Sequence, residues 1–228
     1  MSVPVQSLHF ADAREAEDLS AFLARLLHYD RAAAVRLQAG GPEGPGASLA
    51  VFGRPPSFEV LAIRTARLGA PAELDVTVSA GELLDRVTTA AFAVPEPVTG
   101  PPWAGVLPPR GGWRELPGLP AATALRAAVA TAVTEFRTRD ELLPAAHRVR
   151  SERDRIGREI WSRTVADTPM PLRAAHAAHS LGFLRPGVPL ALLSSGSWLR
   201  LRTPFGSIAL RTAGLGGLTV VPTRTRAH

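Results

Sequence analysis

Residues 58–69 read FEVLAIRTARLG, and residues 205–216 read FGSIALRTAGLG. Seven of the twelve positions are identical: Phe58/Phe205, Ala62/Ala209, Arg64/Arg211, Thr65/Thr212, Ala66/Ala213, Leu68/Leu215 and Gly69/Gly216. Leu61/Ile208 and Ile63/Leu210 match in kind. Each segment follows one apolar strand and precedes another. Chance matches arise readily in a chain rich in Ala, Arg, Leu, Thr and Gly. The alternative is a duplicated hairpin, in which two related α+β units form a pseudo-two-fold pair. Such a pair can share one continuous antiparallel sheet with helices on one side.

Working outward from the first segment, Asp12 and Glu15 form a capping box that opens a helix running to about Tyr29. Ala16, Leu19, Phe22, Leu23, Leu26 and Leu27 fall on one face of that helix. Val35–Ala39, Ser48–Phe52, Phe58–Thr65 and Leu74–Val78 read as strands, with a glycine-rich loop over Gly40–Gly46. Ser79 and Glu82 form a second capping box, and the helix it opens is expected to reach about Phe92.

Pro95–Pro120 holds eight prolines and five glycines in 26 residues, which disfavours a helix or a central strand. It divides the chain into an N-terminal α+β unit (1–94), a connector (95–120) and a C-terminal unit of helices and a β-hairpin (121–228). Trp103 and Trp113 lie in the connector. Each indole can bury about 150–250 Å², so the segment is expected to pack on the body, with both rings more than half buried.

In the second half, Ala121–Leu143, Ala146–Arg163 and Leu172–Phe183 read as helices, the last begun by Pro171. Leu190–Leu193, Trp198–Thr203 and Ser207–Thr212 read as strands, followed by a short one at Leu218–Val221. Thr203-Pro204-Phe205-Gly206 suits a tight turn, with proline second and glycine fourth.

Composition limits function. The 228 residues include no cysteine, which removes disulfides, thiolate metal sites and cysteine nucleophiles. No apolar run is long enough for a transmembrane helix, and the first ten residues lack the pattern of a signal peptide, so a cytoplasmic protein with no membrane partner is expected. All 26 basic residues are arginine against 20 acidic ones, a net charge of +6. The absence of lysine is the mark of a GC-rich, actinobacterial-like composition. The pI near 11.3 overstates the basicity, because almost nothing titrates between histidine and arginine.

Motifs for catalysis are weak. His176 and His179 have a spacing that can bring two imidazoles to one metal, but no third ligand is near in sequence, so no metal site is expected. Gly40–Gly46 lacks the lysine and hydroxyl of a phosphate loop. Ser194-Ser195-Gly196-Ser197 does not form a nucleophile elbow. A triad of His28, Asp30 and a serine is open only as a spatial assembly. The helix over 146–163 spreads its arginines round the cylinder among Glu152, Asp154 and Glu159, which suits a solvated, ion-paired surface. No catalytic residue and no cofactor are therefore expected.

One surface stands out. In Trp198–Thr203, Leu199, Leu201 and Thr203 alternate with Trp198, Arg200 and Arg202; in Ser207–Thr212, Ile208 and Leu210 alternate with Ser207, Ala209 and Arg211. The aliphatic face must be the core face, because unpaired buried arginines are prohibitive. That leaves Trp198, Arg200, Arg202 and Arg211 together on the outer face. Arginine forks beside an indole favour an anionic partner: an acidic protein surface, a nucleotide or nucleic acid. A solvated face, or one covered by helices that bring Glu152 or Glu159, is the plain alternative. The expectation is a non-enzymatic binding or adaptor protein. The alternatives are a nucleic-acid-binding regulator with a winged-helix-like C-terminal half and, behind it, a small hydrolase.

Overall fold

The computed structural model describes residues 6–40, 47–144, 147 and 149–212. Its elements in order are β1 (Ser7–His9), α1 (Ala13–Tyr29), β2 (Ala34–Ala39), β3 (Ser48–Gly53), β4 (Leu61–Arg67), β5 (Leu74–Ser79), α2 (Ala80–Arg86), β6 (Ala91–Ala93), β7 (Arg114–Leu116), α3 (Ala122–Glu141), α4 (Arg150–Trp161), α5 (Leu172–Ser180), β8 (Ala191–Ser195), β9 (Trp198–Thr203) and β10 (Gly206–Arg211). The fold is α+β, with antiparallel sheets and two units in tandem.

One eight-stranded sheet runs through both units in the order β5-β2-β3-β4-β10-β9-β8-β7. The first unit supplies the helix–meander α1–β2–β3–β4, and the second supplies α5–β8–β9–β10. The meanders meet where β4 pairs antiparallel with β10. The layout is therefore pseudo-two-fold. The two echoed segments are its two central strands, and Leu61, Ile63, Ile208 and Leu210 are all buried.

The residue match does not follow the layout. Ala62 faces Ile208 across the β4–β10 pair, and Leu61 faces Ala209. Cross-strand partners share a face. Ala62, Ala66, Ile208 and Leu210 lie in the large core under the helices, whereas Leu61, Ile63 and Ala209 lie in a small core on the opposite face. Echoed residues such as Ala62 and Ala209 thus point to opposite sides. A one-residue offset in a period of two does this. Ala213, Leu215, Gly216 and the strand expected at Leu218–Val221 lie outside the described residues.

Local sequence explains most boundaries. The Asp12 carboxylate accepts the Glu15 N–H at 3.2 Å, and the Ser79 hydroxyl accepts the Glu82 N–H at 3.3 Å, so both capping serine and aspartate act as read. α1 buries Ala16, Leu19, Phe22, Leu23 and Leu26. Several boundaries differ from expectation: α4 opens at Arg150, α5 closes at Ser180, and two further shifts have a local cause. α2 stops at Arg86, and Ala91–Ala93 forms a strand on β1. The intervening Thr88 closes a turn: its hydroxyl donates to Ala91 O at 2.8 Å and accepts from Ala91 N at 3.1 Å. β4 begins at Leu61, not Phe58, because Ser57 and Glu59 adopt left-handed φ of 69° and 53°.

The junction carries a buried charge. Arg64 on β4, only 6% exposed, points into the helical core. Its guanidinium donates to Asp18 at 3.0 Å, to Glu15 at 3.5 Å and to the Phe205 carbonyl of the second unit at 2.9 Å. The Arg185 guanidinium lies 3.7 Å over the Phe205 ring. Helix α1, strand β4 and the β9–β10 turn are so tied at one point.

A candidate anion-binding face on the sheet

The helices cover one side of the sheet. On the other, the connector crosses the middle. Phe52, Leu61, Ile63 and Ala209 form a small core there, closed by Ala50, Trp103, Leu107 and Trp198. A short 3-10 turn at Pro102–Gly105 delivers Trp103. Both connector tryptophans are more than half buried. Further on, the segment adds β7 as an edge strand beside β8, a position where proline-rich chain is tolerated.

Past the connector's crossing, the β8–β9–β10 end of this face is unevenly covered: Ala191, Leu193, Ser207 and Ala209 are buried, while its outer arginines reach solvent. Register sets its rows. Ala191, Arg202 and Ser207 are cross-strand neighbours, as are Leu193, Arg200 and Ala209, and Ser195, Trp198 and Arg211. The four residues singled out from sequence, Trp198, Arg200, Arg202 and Arg211, are therefore together on one surface. Arg202 and Arg211 are exposed; Trp198 and Arg200 are half-buried. The Arg211 guanidinium sits 6.0 Å from the centre of the Trp198 ring.

Trp113 completes the surface, and sequence alone did not place it there. Its ring centre lies 5.8 Å from the Arg200 guanidinium. Two hydrogen bonds hold the loop: the indole N–H donates to Pro109 O at 2.9 Å, and the Ser195 hydroxyl donates to Gly111 O at 3.4 Å. Gly112 turns the chain between them at φ +73°, a conformation that disfavours any side chain. The sequence signal was a tryptophan in a proline-rich segment, which indicates packing but not against what.

Electrostatics set this face apart. Arg200 Nε is buried and has no hydrogen-bond partner, a state it shares with Arg64 Nε and Arg173 Nε, but Arg64 has carboxylates on its terminal nitrogens and Arg200 has none among the described residues. Burial, with the adjacent Arg202 charge, holds the Arg200 pKa below the ordinary guanidinium value. The carboxylates considered as covers are used elsewhere. Glu159 binds Arg139 at 2.7 Å, and Glu152 binds Arg155 at 2.9 Å. Glu135 binds Arg163, which further ties α3 to the end of α4. Hydrogen bonding to Arg139, against the cost of burial, pulls the Glu159 pKa down to about 2. Among the described residues, no salt bridge reaches Arg200, Arg202 or Arg211. Glu115 on β7 is the nearest acid in register, one strand beyond Leu193 in the row of Arg200.

The other candidates go to structural places. The His176 ring stacks on Trp161 at 4.2 Å and meets Phe58 edge-on at 5.0 Å. Burial lowers its pKa to about 4, with a further push from His179. His179 is exposed. Among the described residues, no three His, Asp or Glu side chains are grouped to hold a metal ion. His28 packs edge-on against Tyr29, and the Asp30 carboxylate accepts the Ala32 N–H at 2.9 Å. No described helix is long and apolar enough to cross a membrane.

Comparison with known families divides the chain in two. Residues 3–105 match a family described as "Domain of unknown function (DUF8010)", and residues 108–215 match one described as "Domain of unknown function (DUF8185)". Both matches therefore meet within the connector. No curated protein matches the chain.

Proposed function

We propose that the protein is a non-enzymatic cytoplasmic binding or adaptor module. It takes an anionic partner on the helix-free side of its sheet, through Trp198, Arg200, Arg202 and Arg211. The observation that carries this reading is the imbalance of charge: among the described residues, three arginines share a face without a carboxylate in salt-bridge reach. A guanidinium is costly to desolvate without a counterion, and an incoming anion supplies one with bidentate geometry. The winged-helix alternative has less support. Helix α5, which precedes the hairpin, buries Leu172, Ala174, Ala175, Ala177 and Ala178 in the core and leaves His179 as its one exposed residue, a narrow strip to offer a DNA groove.

Retention on heparin, used as a generic polyanion, tests the reading. The triple variant R200S/R202S/R211S should elute at markedly lower salt than the parent protein. A control triple variant at exposed Arg14, Arg31 and Arg158 removes the same net charge and should elute later than the first. Equal elution of the two variants would reject this face as the site.

A further inference from the structure

Resting on the anion-face reading, we propose that the natural occupant is single-stranded nucleic acid, with phosphates on Arg200, Arg202 and Arg211 and bases stacked on Trp113 and Trp198.

Three features select this class over an acidic peptide. The first is the pairing of charge with aromatic surface. Each indole lies beside an arginine: Trp113 beside Arg200 at 5.8 Å, and Trp198 beside Arg211 at 6.0 Å. A carboxylate needs only the guanidinium, whereas a nucleotide offers an anion for the guanidinium and a π-face for the indole. The second is spacing. Trp198, Arg200 and Arg202 alternate on one face of β9, so successive groups stand about 7 Å apart along the strand. Arg211 lies across from Trp198 on β10. The groups form a short track, not a single anion pocket, and an extended chain of repeating phosphate and base matches a track. The third is shape. The partly exposed indoles are held by the body beside the exposed Arg202 and Arg211: Trp113 by its hydrogen bond to Pro109 O, Trp198 by the small core. Unstacked bases can lie on such a platform, but a duplex hides its base faces and presents only phosphates and groove edges.

The test is fluorescence anisotropy with a labelled oligothymidylate of about 12 nucleotides, competed with polyglutamate and with a blunt duplex of equal length. The parent protein should bind the single strand and quench tryptophan emission. R200S/R202S/R211S should bind more than about tenfold more weakly. W113A and W198A should each lose about five- to tenfold, in keeping with one stacked base, while W198F should keep most of the affinity. Circular dichroism should be unchanged in all variants. Polyglutamate binding that depends on the three arginines, with no oligothymidylate binding, would overturn this inference and leave the anion-face reading standing. Equal affinity for duplex, unaffected by either tryptophan change, would likewise overturn it. Oligothymidylate binding untouched by the arginine changes would overturn both.

Discussion

The two faces of the sheet treat arginine in opposite ways. On the helical face, Arg64 is nearly sealed from solvent, yet its two terminal nitrogens pair with Asp18, Glu15 and the Phe205 carbonyl, leaving only its Nε without a partner. On the opposite face, Arg200 is half-buried beside Trp113, and among the described residues no carboxylate comes within salt-bridge reach of Arg200, Arg202 or Arg211. The contrast is sharpened by the echo, since Arg64 and Arg211 are matched positions whose strands lie side by side. An arginine with internal counterions holds elements together. One left without them costs stability in the free protein and gains a partner only on binding.

The largest expected effect lies at the paired arginine. Arg64→Met should destabilise the protein by about 3 kcal/mol in urea titrations, because Asp18 loses its 3.0 Å partner and the Phe205 carbonyl its donor, while Glu15 keeps Arg67. Arg211→Met should stay within about 0.5 kcal/mol. A similar loss at both positions would erase the distinction between the faces.

Next comes the connector. Trp103→Ala should cost about 3 kcal/mol, since its ring closes the small core over Phe52, Leu61 and Ile63. An unchanged melting temperature would show that the connector is a loose tether and that the whole outer face is open.

Arg200 gives a change of opposite sign. Arg200→Met relieves an uncompensated guanidinium while keeping apolar contact with Trp113. Stability in the absence of ligand should hold or rise by about 1 kcal/mol. A loss above about 2 kcal/mol would mean that this arginine is structural, like Arg64.

The smallest effect is a pH slope confined to the helical side. Burial, and then His179, lower the His176 pKa from 6.5 to about 4. The folded state therefore holds the neutral ring, and the unfolded state takes the proton first. This contribution is complete above about pH 6.5 and is lost as the pH falls toward 4. His176→Phe should flatten that part of the urea-midpoint profile. An identical slope in the variant would assign the pH dependence to the carboxylates.

Much of this was legible in the residues. Two capping boxes placed α1 and α2, because an N-cap signal is local. Alternation along Trp198–Thr203 assigned faces correctly, because the period of a strand is fixed by its backbone. The end of α2 and the strands β1 and β6 were missed. Three-residue strands carry almost no periodicity, and Ala91–Ala93 gains its conformation from pairing with Ser7–His9. The echo indicated two related units able to share a sheet, but neither that its strands pair at the centre nor their one-residue offset, since both depend on long-range register. Trp113 was likewise hidden: its place over Arg200 is a tertiary contact made across a glycine turn.

The difference between the faces is tested most directly by NMR of arginine Nε–Hε groups during titration with oligothymidylate. Signals from Arg200, Arg202 and Arg211 should shift together and saturate, while Arg64 stays fixed on Asp18 and Glu15. Movement of Arg64 with the other three unmoved, or saturable binding that shifts none of the three, would contradict the assignment of the helix-free face as the binding surface.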